Sequence, residues 1–325
     1  MKILKKMPDR DFVILNLSDP QLSNEEWQEG HLNRRRLEYT VAELMERVKP
    51  DLITVSGDLS WAGFDHSYDM VGQLINGYGV PWAIVWGNHD NQDGAEYIKG
   101  LVERFSGYSN LIYESGDEAM GNGNYVILIQ EDQKPVEAVF MMDTHNREMY
   151  TTPEGEEKRE WARLFPCQVE WLRKQTEELK EMGCKDATLI VHIPIYEYRA
   201  ASAAAYKAGI NLKSVTVEDS MGEDCWNDGY KDSVGVQLEA ISNYPQTEGA
   251  FEAIKDGGII RTVLAGHDHI NNWIINYKGV RLAYSLKAGP GCYWRPFLNG
   301  GTVLKINQNG VYDIHHEYVD LSTLQ

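Results

Sequence analysis

Three kinds of residue pattern are scarce in this chain, and each scarcity excludes something. No stretch of its 325 residues is continuously apolar for the roughly 20 residues that a membrane-spanning helix needs. The lysine-bearing start, MKILKKMPDRDFVILNLSDPQ, holds only a short apolar stretch and no small-residue cleavage site, so it reads as a first strand and not a signal peptide. Cysteine is sparse: Cys167, Cys184, Cys225 and Cys292 lie far apart, with no CxxC pair. That spacing suits a reducing, cytoplasmic compartment and speaks against a thiol-based zinc or redox site. Positive charge is also short, with 31 Lys and Arg against 49 Asp and Glu, a net charge of −18. A surface of that sign disfavours nucleic acid and anionic membrane as partners. It still admits a small phosphorylated substrate or a phosphoprotein, provided something strongly cationic sits in the site.

What is present is ordinary for a globular protein, at 42% hydrophobic and 25% charged residues. With no internal repeat and no composition break, residues 1–325 are expected to form a single domain. The first hundred residues alternate strand-like and helix-like segments. Phe12 to Ser18 is β-rich; residues 33–48 place Leu37, Val41, Leu44 and Val48 on one helical stripe, with Asn33 as the expected N-cap. DLITVSGD, a helix near 66–76, and PWAIVWGNHD follow, a strand–helix–strand order that implies parallel pairing. Further strands are expected at 125–130, 138–143, 187–193 and 259–265, and a helix near 167–182 with Leu172, Thr176 and Leu179 on one face. The C-terminal part reads as two hairpins, the second turning at Asn309-Gly310. Residues 199–235 are polar and weakly periodic and are expected to be a functional loop.

The chemistry lies where the apolar runs stop. They end SDPQ, SGDLSW, WGNHDN, VHIPIYEY and LAGHDHIN. In open α/β sheets, ligands bind where strands finish. Five strands would therefore bring Asp19, Gln21, Asp58, Asn88, His89, His192, His267 and His269 to one edge. Any one of these residues is as readily a turn residue or a helix cap. Independent turns, however, have no reason to collect imidazole, carboxylate and amide at successive strand ends. The set has oxygen and nitrogen donors and no thiol, which suits Mn²⁺, Fe²⁺, Zn²⁺ or Mg²⁺. Eight groups are too many for one ion with an open position and suit two, bridged by a carboxylate.

In these residues, from 19 to 269 and in the same order, the chain resembles the calcineurin-like metallophosphoesterases, whose pattern is DxH, GD, GNHD/E, a lone H and GHxH. FMMDT at 140–144, QVEWL at 168–172, HIPIYEY at 192–198 and GHDHINNW at 266–273 are similar to the subgroup around the purple-acid-phosphatase-29-like proteins and the yeast dosage-dependent cell-cycle-regulator phosphatase. The resemblance implies an α/β, four-layer fold, with two packed mixed sheets flanked by helices. It also implies two divalent ions: Asp19, Gln21 and His269 on the first, Asn88, His192 and His267 on the second, and Asp58 bridging. His89 would face the substrate's phosphate and leaving group.

Two such ions bring four positive charges, which Asp19 and Asp58 only partly offset, so the site would attract phosphate inside an acidic protein. Water bridging two ions loses its proton near neutral pH and becomes a nucleophile, with His89 assisting the departing alkoxide. The expected function is hydrolysis of a phosphomonoester or small phosphodiester; the alternative is a catalytically weak metal-binding scaffold of the same fold. Two departures from the family pattern stand out. Trp61 occupies the position of the tyrosine that colours purple acid phosphatases, so no tyrosinate charge-transfer band is expected. Gln21 stands where the family has histidine: it either coordinates, favouring Mn²⁺ or Mg²⁺ through a harder donor, or only hydrogen-bonds a metal-bound water. His145 and the cluster Tyr293, Trp294 and Arg295 are candidate substrate contacts. Asp268 would either orient an imidazole or be solvated, Glu197 is expected to cap a turn, and Arg34 to Arg36 to be a solvated helix start.

Overall fold

The computed structural model describes residues 1–207 and 235–324, and in it strands and amphipathic helices alternate along the chain. In order these are β1 (Lys2–Lys5), β2 (Phe12–Leu17), α1 (Leu32–Val48), β3 (Leu52–Ser56), α2 (Asp65–Asn76), β4 (Trp82–Val85), α3 (Ala95–Phe105) and β5 (Leu111–Ile112). Then come β6 (Tyr125–Glu131), β7 (Lys134–Met141), β8 (Arg147–Thr151), β9 (Glu157–Trp161), α4 (Pro166–Glu181), β10 (Ala187–Ile190) and α5 (Glu197–Lys207). The C-terminal part holds α6 (Ala250–Gly257), β11 (Ile260–Ala265), β12 (Ile274–Tyr277), β13 (Val280–Tyr284), β14 (Gly300–Asn307) and β15 (Gly310–Tyr318). None of the described helices is long and apolar enough to cross a membrane.

Two large mixed sheets result, in the orders β1-β6-β7-β10-β11-β13-β12 and β15-β14-β2-β3-β4-β5. Strands such as β3 and β4, apolar or small throughout and buried at every position, are stable only with both faces covered. Their inner faces meet: Ile14, Leu52, Ala83 and Val85 of one sheet pack on Ile127, Val139, Ile190 and Leu264 of the other. On the outer face of the six-stranded sheet, Leu15, Ile53 and Ile84 pack against Leu37 and Leu44 of α1, Val71 of α2 and Leu101 of α3. On the outer face of the seven-stranded sheet, Leu189 and Val263 pack against Leu172 of α4, Ala201 of α5 and Ile254 of α6. Helix, sheet, sheet and helix form the four layers expected. Because β2, β3 and β4 run parallel, as do β10 and β11, their C-terminal ends share an edge within each sheet.

Several boundaries differ from the sequence expectation. The N-cap of α1 is His31, not Asn33: the His31 ring accepts from Asn33 N at 3.2 Å, and the Asn33 side chain donates instead to Glu26. The last hairpin turns on Gln308-Asn309, because Asn307 pairs with Gly310, which already belongs to β15. The stretch expected as a loop from 199 begins inside α5, whose EYRAASAAAYK is rich in alanine, the strongest helix former. Residues 208–234 lie outside the described residues, with the rest of that expectation. The β8–β9 hairpin, α3 and α6 were not foreseen; each is short and mixes charges into its apolar pattern.

Candidate metal centre

Two parallel strand sets end against each other and deliver the candidate residues. Asp19 follows β2, Asp58 follows β3, Asn88 and His89 follow β4, His192 follows β10, and His267 and His269 follow β11. The loops are stitched together by the backbone: Asp19 N donates to Gly57 O and Gly266 N to His192 O, each at 3.1 Å. Across the sheets, His192 Nδ1 hydrogen-bonds Ser56 O at 2.8 Å. Two glycines make this approach possible. A Cβ on Gly57, whose φ is +92°, would fall 2.4 Å from His192 Nδ1, and one on Gly87 would fall 2.1 Å from Asp58 Oδ1. Asp19, Gln21, Asp58 and His267 adopt left-handed φ values of 49°, 47°, 48° and 75°. Such backbone costs about 1–3 kcal/mol per non-glycine residue and persists where the surroundings over-determine it, as they do here.

Asp19, Gln21, Asp58, Asn88, His192, His267 and His269 are all buried, with His89 half-buried. Asp19, Asp58 and His269 each offer a ligand atom within 4.8 Å of the other two. His269 Nε2 lies 3.3 Å from Asp19 Oδ1. Alongside, His192 Nε2 lies 3.0 Å from Asn88 Oδ1 and 3.4 Å from Asp58 Oδ2, and the His192 and His267 rings are 5.1 Å apart. Asp58 belongs to both groups. The donor set passes a test for two hard or borderline ions. Asp19 Oδ1 and His267 Nε2 are buried without a hydrogen-bond partner, an arrangement that is costly unless something coordinates them. His192 and His269 each turn Nδ1 to a main-chain carbonyl, of Ser56 and Tyr293, which leaves Nε2 for a metal.

The charges of the site are mutually dependent. Burial works to raise Asp19, but His269, His192 and Lys287 outweigh it and hold the carboxyl well below the usual range. Burial likewise opposes ionisation of Asp58, and His192 and His89 prevail, keeping it low. His192 is driven down by burial yet pushed up to about 10 by the carboxylates of Asp58 and Asp19 and the Ser56 carbonyl. Burial and the His192 charge depress His267, and burial depresses His89, leaving both neutral near pH 7. Without a metal, a protonated His192 thus compensates the two carboxylates, a charge that bound cations would replace.

The structure gives Gln21 a neighbour that sequence reading missed. Lys287 is fully buried, and its Nζ donates to Gln21 Oε1 at 2.9 Å and to Asp19 O at 3.0 Å. The amide oxygen of Gln21 is therefore engaged, and its Nε2 donates to Asp58 Oδ2 at 3.3 Å. An ammonium has only donors, so it fixes which end of the amide faces the cluster. With the amide so held, Asp19, Asp58 and His269 are the side chains that could offer lone pairs to one ion. The signal for Lys287 was in the sequence: LAYSLK is one more apolar run ending in a charged residue; in the fold Lys287 pairs with Ser18 at the end of β2.

Asp90, the last residue of GNHD, is a second missed group. It is buried and accepts from Gly87 N at 2.7 Å, Tyr68 Oη at 2.7 Å and Leu59 N at 3.1 Å, pinning the Asp58 and Asn88 loops to each other. Burial and the Asp58 charge push it up to about 7, against the pull of those donors. Trp61 packs at a tilt on His89 with ring centroids 3.6 Å apart, and His89 N donates to Asp58 Oδ1 at 2.8 Å, so the His89 ring is held at the cluster. Asp268 is neither solvated nor an imidazole partner: it accepts from Tyr284 Oη at 2.5 Å and Ser242 N at 3.2 Å, tying the loop before α6 to β13.

The remaining candidates separate. Tyr293 stacks on His269 at 4.2 Å and donates through its hydroxyl to Glu239 at 2.7 Å, placing it at the rim of the site. Trp294 instead packs into the helical side of the six-stranded sheet, 5.3 Å from Arg36, and Arg295 is exposed. His145 stacks on Phe165 and hydrogen-bonds Gln168 at 2.9 Å, so it is brought to α4 and not to the ligands. Glu197 accepts from Thr247 at 3.1 Å at the start of α5. Arg34 pairs with Glu38 at 2.7 Å, as a helix-start arginine should.

Comparison with known proteins bears on the family and the fold. The model of the family described as calcineurin-like phosphoesterase matches residues 12–271. Among curated proteins, the chain is 24% identical over 280 residues to the probable inactive purple acid phosphatase 28 of Arabidopsis thaliana, covering 78% of this chain and 62% of that protein. It is 23% identical over 306 residues to the phosphatase DCR2 of Saccharomyces cerevisiae, covering 86% of this chain and 46% of that protein. The chain thus spans about half to three-fifths of the length of these relatives. Among solved structures, a dimetal phosphatase from Danio rerio superposes with a TM-score of 0.58 over 97% of this chain and all of that one, at 12% identity, a likeness of fold.

Proposed function

Because the chain belongs to the calcineurin-like phosphoesterase family, we propose that it hydrolyses phosphate esters with two divalent metal ions held by Asp19, Asp58, Asn88, His192, His267 and His269. One observation carries the reading: donors from five strand ends form two adjoining buried clusters that share Asp58, with His267 Nε2 lacking any hydrogen bond and Asp19 Oδ1 meeting only His269 Nε2, at 3.3 Å. When bound, two such ions would make a nucleophile of water near neutral pH and offset charge on the phosphoryl oxygens.

The chain's own residues supply the rest. Asp58 is kept ionised by its neighbours and can face both ions. His89, neutral and wedged against Trp61, is placed to hydrogen-bond the leaving oxygen and assist its departure, a contribution typically worth about 10²–10⁴-fold. Buried Asp90 ties the loops that carry Asp58 and Asn88 to each other. The substrate class is a phosphomonoester or small phosphodiester, consistent with an acidic chain that lacks a basic stripe. A reducing, cytoplasmic setting is proposed with it on the dispersed cysteines, of which Cys167, Cys184 and Cys292 are free thiols.

The second reading is a weakly catalytic scaffold. The word "inactive" in the relatives' names favours it, as does the buried cation of Lys287 beside the first cluster. Stripping the metals and reconstituting with Mn²⁺, Fe²⁺, Zn²⁺, Ni²⁺ or Mg²⁺, with assay on p-nitrophenyl phosphate and its bis-ester, separates the two. Hydrolysis with at least one metal supports the enzyme; none with any metal overturns it.

A further inference from the structure

The β8–β9 hairpin has two unlike faces, as alternation along a strand dictates. One face anchors it. Tyr150 packs edge-on against Tyr244 at 5.6 Å and accepts from Gln246 Nε2 at 3.1 Å, while Glu148 pairs with Arg163 at 2.9 Å. On the other face Arg147 and Trp161 are directly opposed across the strands. The Arg147 guanidinium carbon sits 3.6 Å from the centre of the Trp161 ring, and that ring meets His267, a ligand candidate for the second ion, edge-on at 4.5 Å. Arg159, two residues before Trp161, shares this face.

Arg147 is exposed, and among the described residues no carboxylate lies within ion-pair distance of it. Its guanidinium is thus open to a ligand, on a ring that itself touches a candidate metal ligand. Stacking on Trp161 already restricts the side chain, so a ligand meets a pre-ordered fork of donors, the geometry that suits phosphate oxygens. The ions would hold the phosphoryl group under attack, which leaves the Arg147 fork, stacked on the ring that meets His267, for a second one.

We propose that Arg147, braced by Trp161, binds a second phosphate of the substrate, so that small esters carrying a diphosphate are preferred over singly phosphorylated ones. The inference rests on the phosphoesterase reading for the site it adjoins, but it is read by binding. The metal-loaded wild type and the variants Arg147→Gln and Arg147→Lys would be titrated with ADP and AMP by calorimetry, and assayed on p-nitrophenyl phosphate. The wild type should bind ADP more tightly than AMP. Arg147→Gln should weaken ADP by ~10–100-fold, the range of a charge-assisted pair of hydrogen bonds, and leave AMP and p-nitrophenyl phosphate within about twofold. Arg147→Lys, which keeps the charge without the fork, should fall between.

Equal binding of ADP and AMP by the wild type overturns the proposal, as does an Arg147→Gln variant that binds ADP unchanged or loses both nucleotides alike. A doubly phosphorylated serine peptide is a further arm; if it alone depends on Arg147, the assignment to small molecules is wrong. Absence of p-nitrophenyl phosphate hydrolysis with every metal would sink the phosphoesterase reading while the nucleotide titration still judged Arg147.

Discussion

Replacing Lys287 with methionine tests how the first cluster is built, because the side chain keeps its length and loses only its charge and donors. Lys287 is held by Gln21 Oε1 and Asp19 O, and its pKa is lowered by burial against the upward pull of Asp19. Only the Gln21 amide separates the ammonium from Asp58; for charges roughly 6 Å apart, an effective dielectric of about 20 gives a repulsion of about 3 kcal/mol per unit charge, or about 6 for a divalent ion. If a quarter of that survives relaxation, about 1.4 kcal/mol, the first ion binds tenfold more tightly to Lys287→Met. The sign holds even if Lys287 sheds its proton when the ion arrives, since the wild type must then supply the energy to expel it. The substitution also frees the Gln21 amide to turn its oxygen to the cluster.

Competitive titration of the metal-free proteins with Mn²⁺ and a fluorescent chelator would resolve the two sites, and a thermal melt would show that both proteins are folded. The first site should tighten at least tenfold and the second, built on Asn88, His192 and His267, should change less. Unchanged or weaker first-site binding in a folded variant would refute the view that Lys287 opposes the ion there.

Other outcomes follow from the same geometry. His89→Ala should lower kcat on p-nitrophenyl phosphate by about 10²–10⁴-fold with metal content by mass spectrometry unchanged, because His89 is not among the donors. His192, pushed up to about 10 without metal, must lose a proton when an ion takes Nε2; second-site affinity should therefore rise about tenfold per pH unit from pH 7 to 9, with one proton released in calorimetry across buffers. In the metal-free protein the same raised value means a stabilisation complete below the ordinary histidine range and lost as pH rises through about 10, visible as a falling melting temperature. Gly57→Ala should cost about 2–4 kcal/mol in chemical denaturation and abolish second-site binding, since its Cβ would strike His192 at a left-handed φ that only glycine adopts cheaply.

Some of this was legible before any coordinates. The strands ending in Asp19, Asp58, Asn88, His192 and His267 could be read because a buried parallel strand is a continuous apolar run, and a polar residue that ends it is conspicuous. The stripe Leu37, Val41 and Leu44 was legible for the analogous reason, a period of 3.6 on a half-buried helix. The β8–β9 hairpin was not, because Arg147, Glu148, Glu157 and Trp161 make a short, mostly polar pattern whose meaning depends on what lies beneath it.

Local periodicity and what interrupts it were enough for the strand–helix alternation, the edge of the sheets that carries chemistry and the donor types there, while the four layers came from the family resemblance. Only the tertiary structure decided how those donors are used. Lys287 is 266 residues from Gln21 in the chain, and Trp161 is 106 from His267. Burial and hydrogen-bond direction are set by such distant pairs, and no local pattern encodes them. Whether Gln21 offers oxygen or nitrogen to the cluster is therefore settled by one ammonium arriving from the far end of the chain.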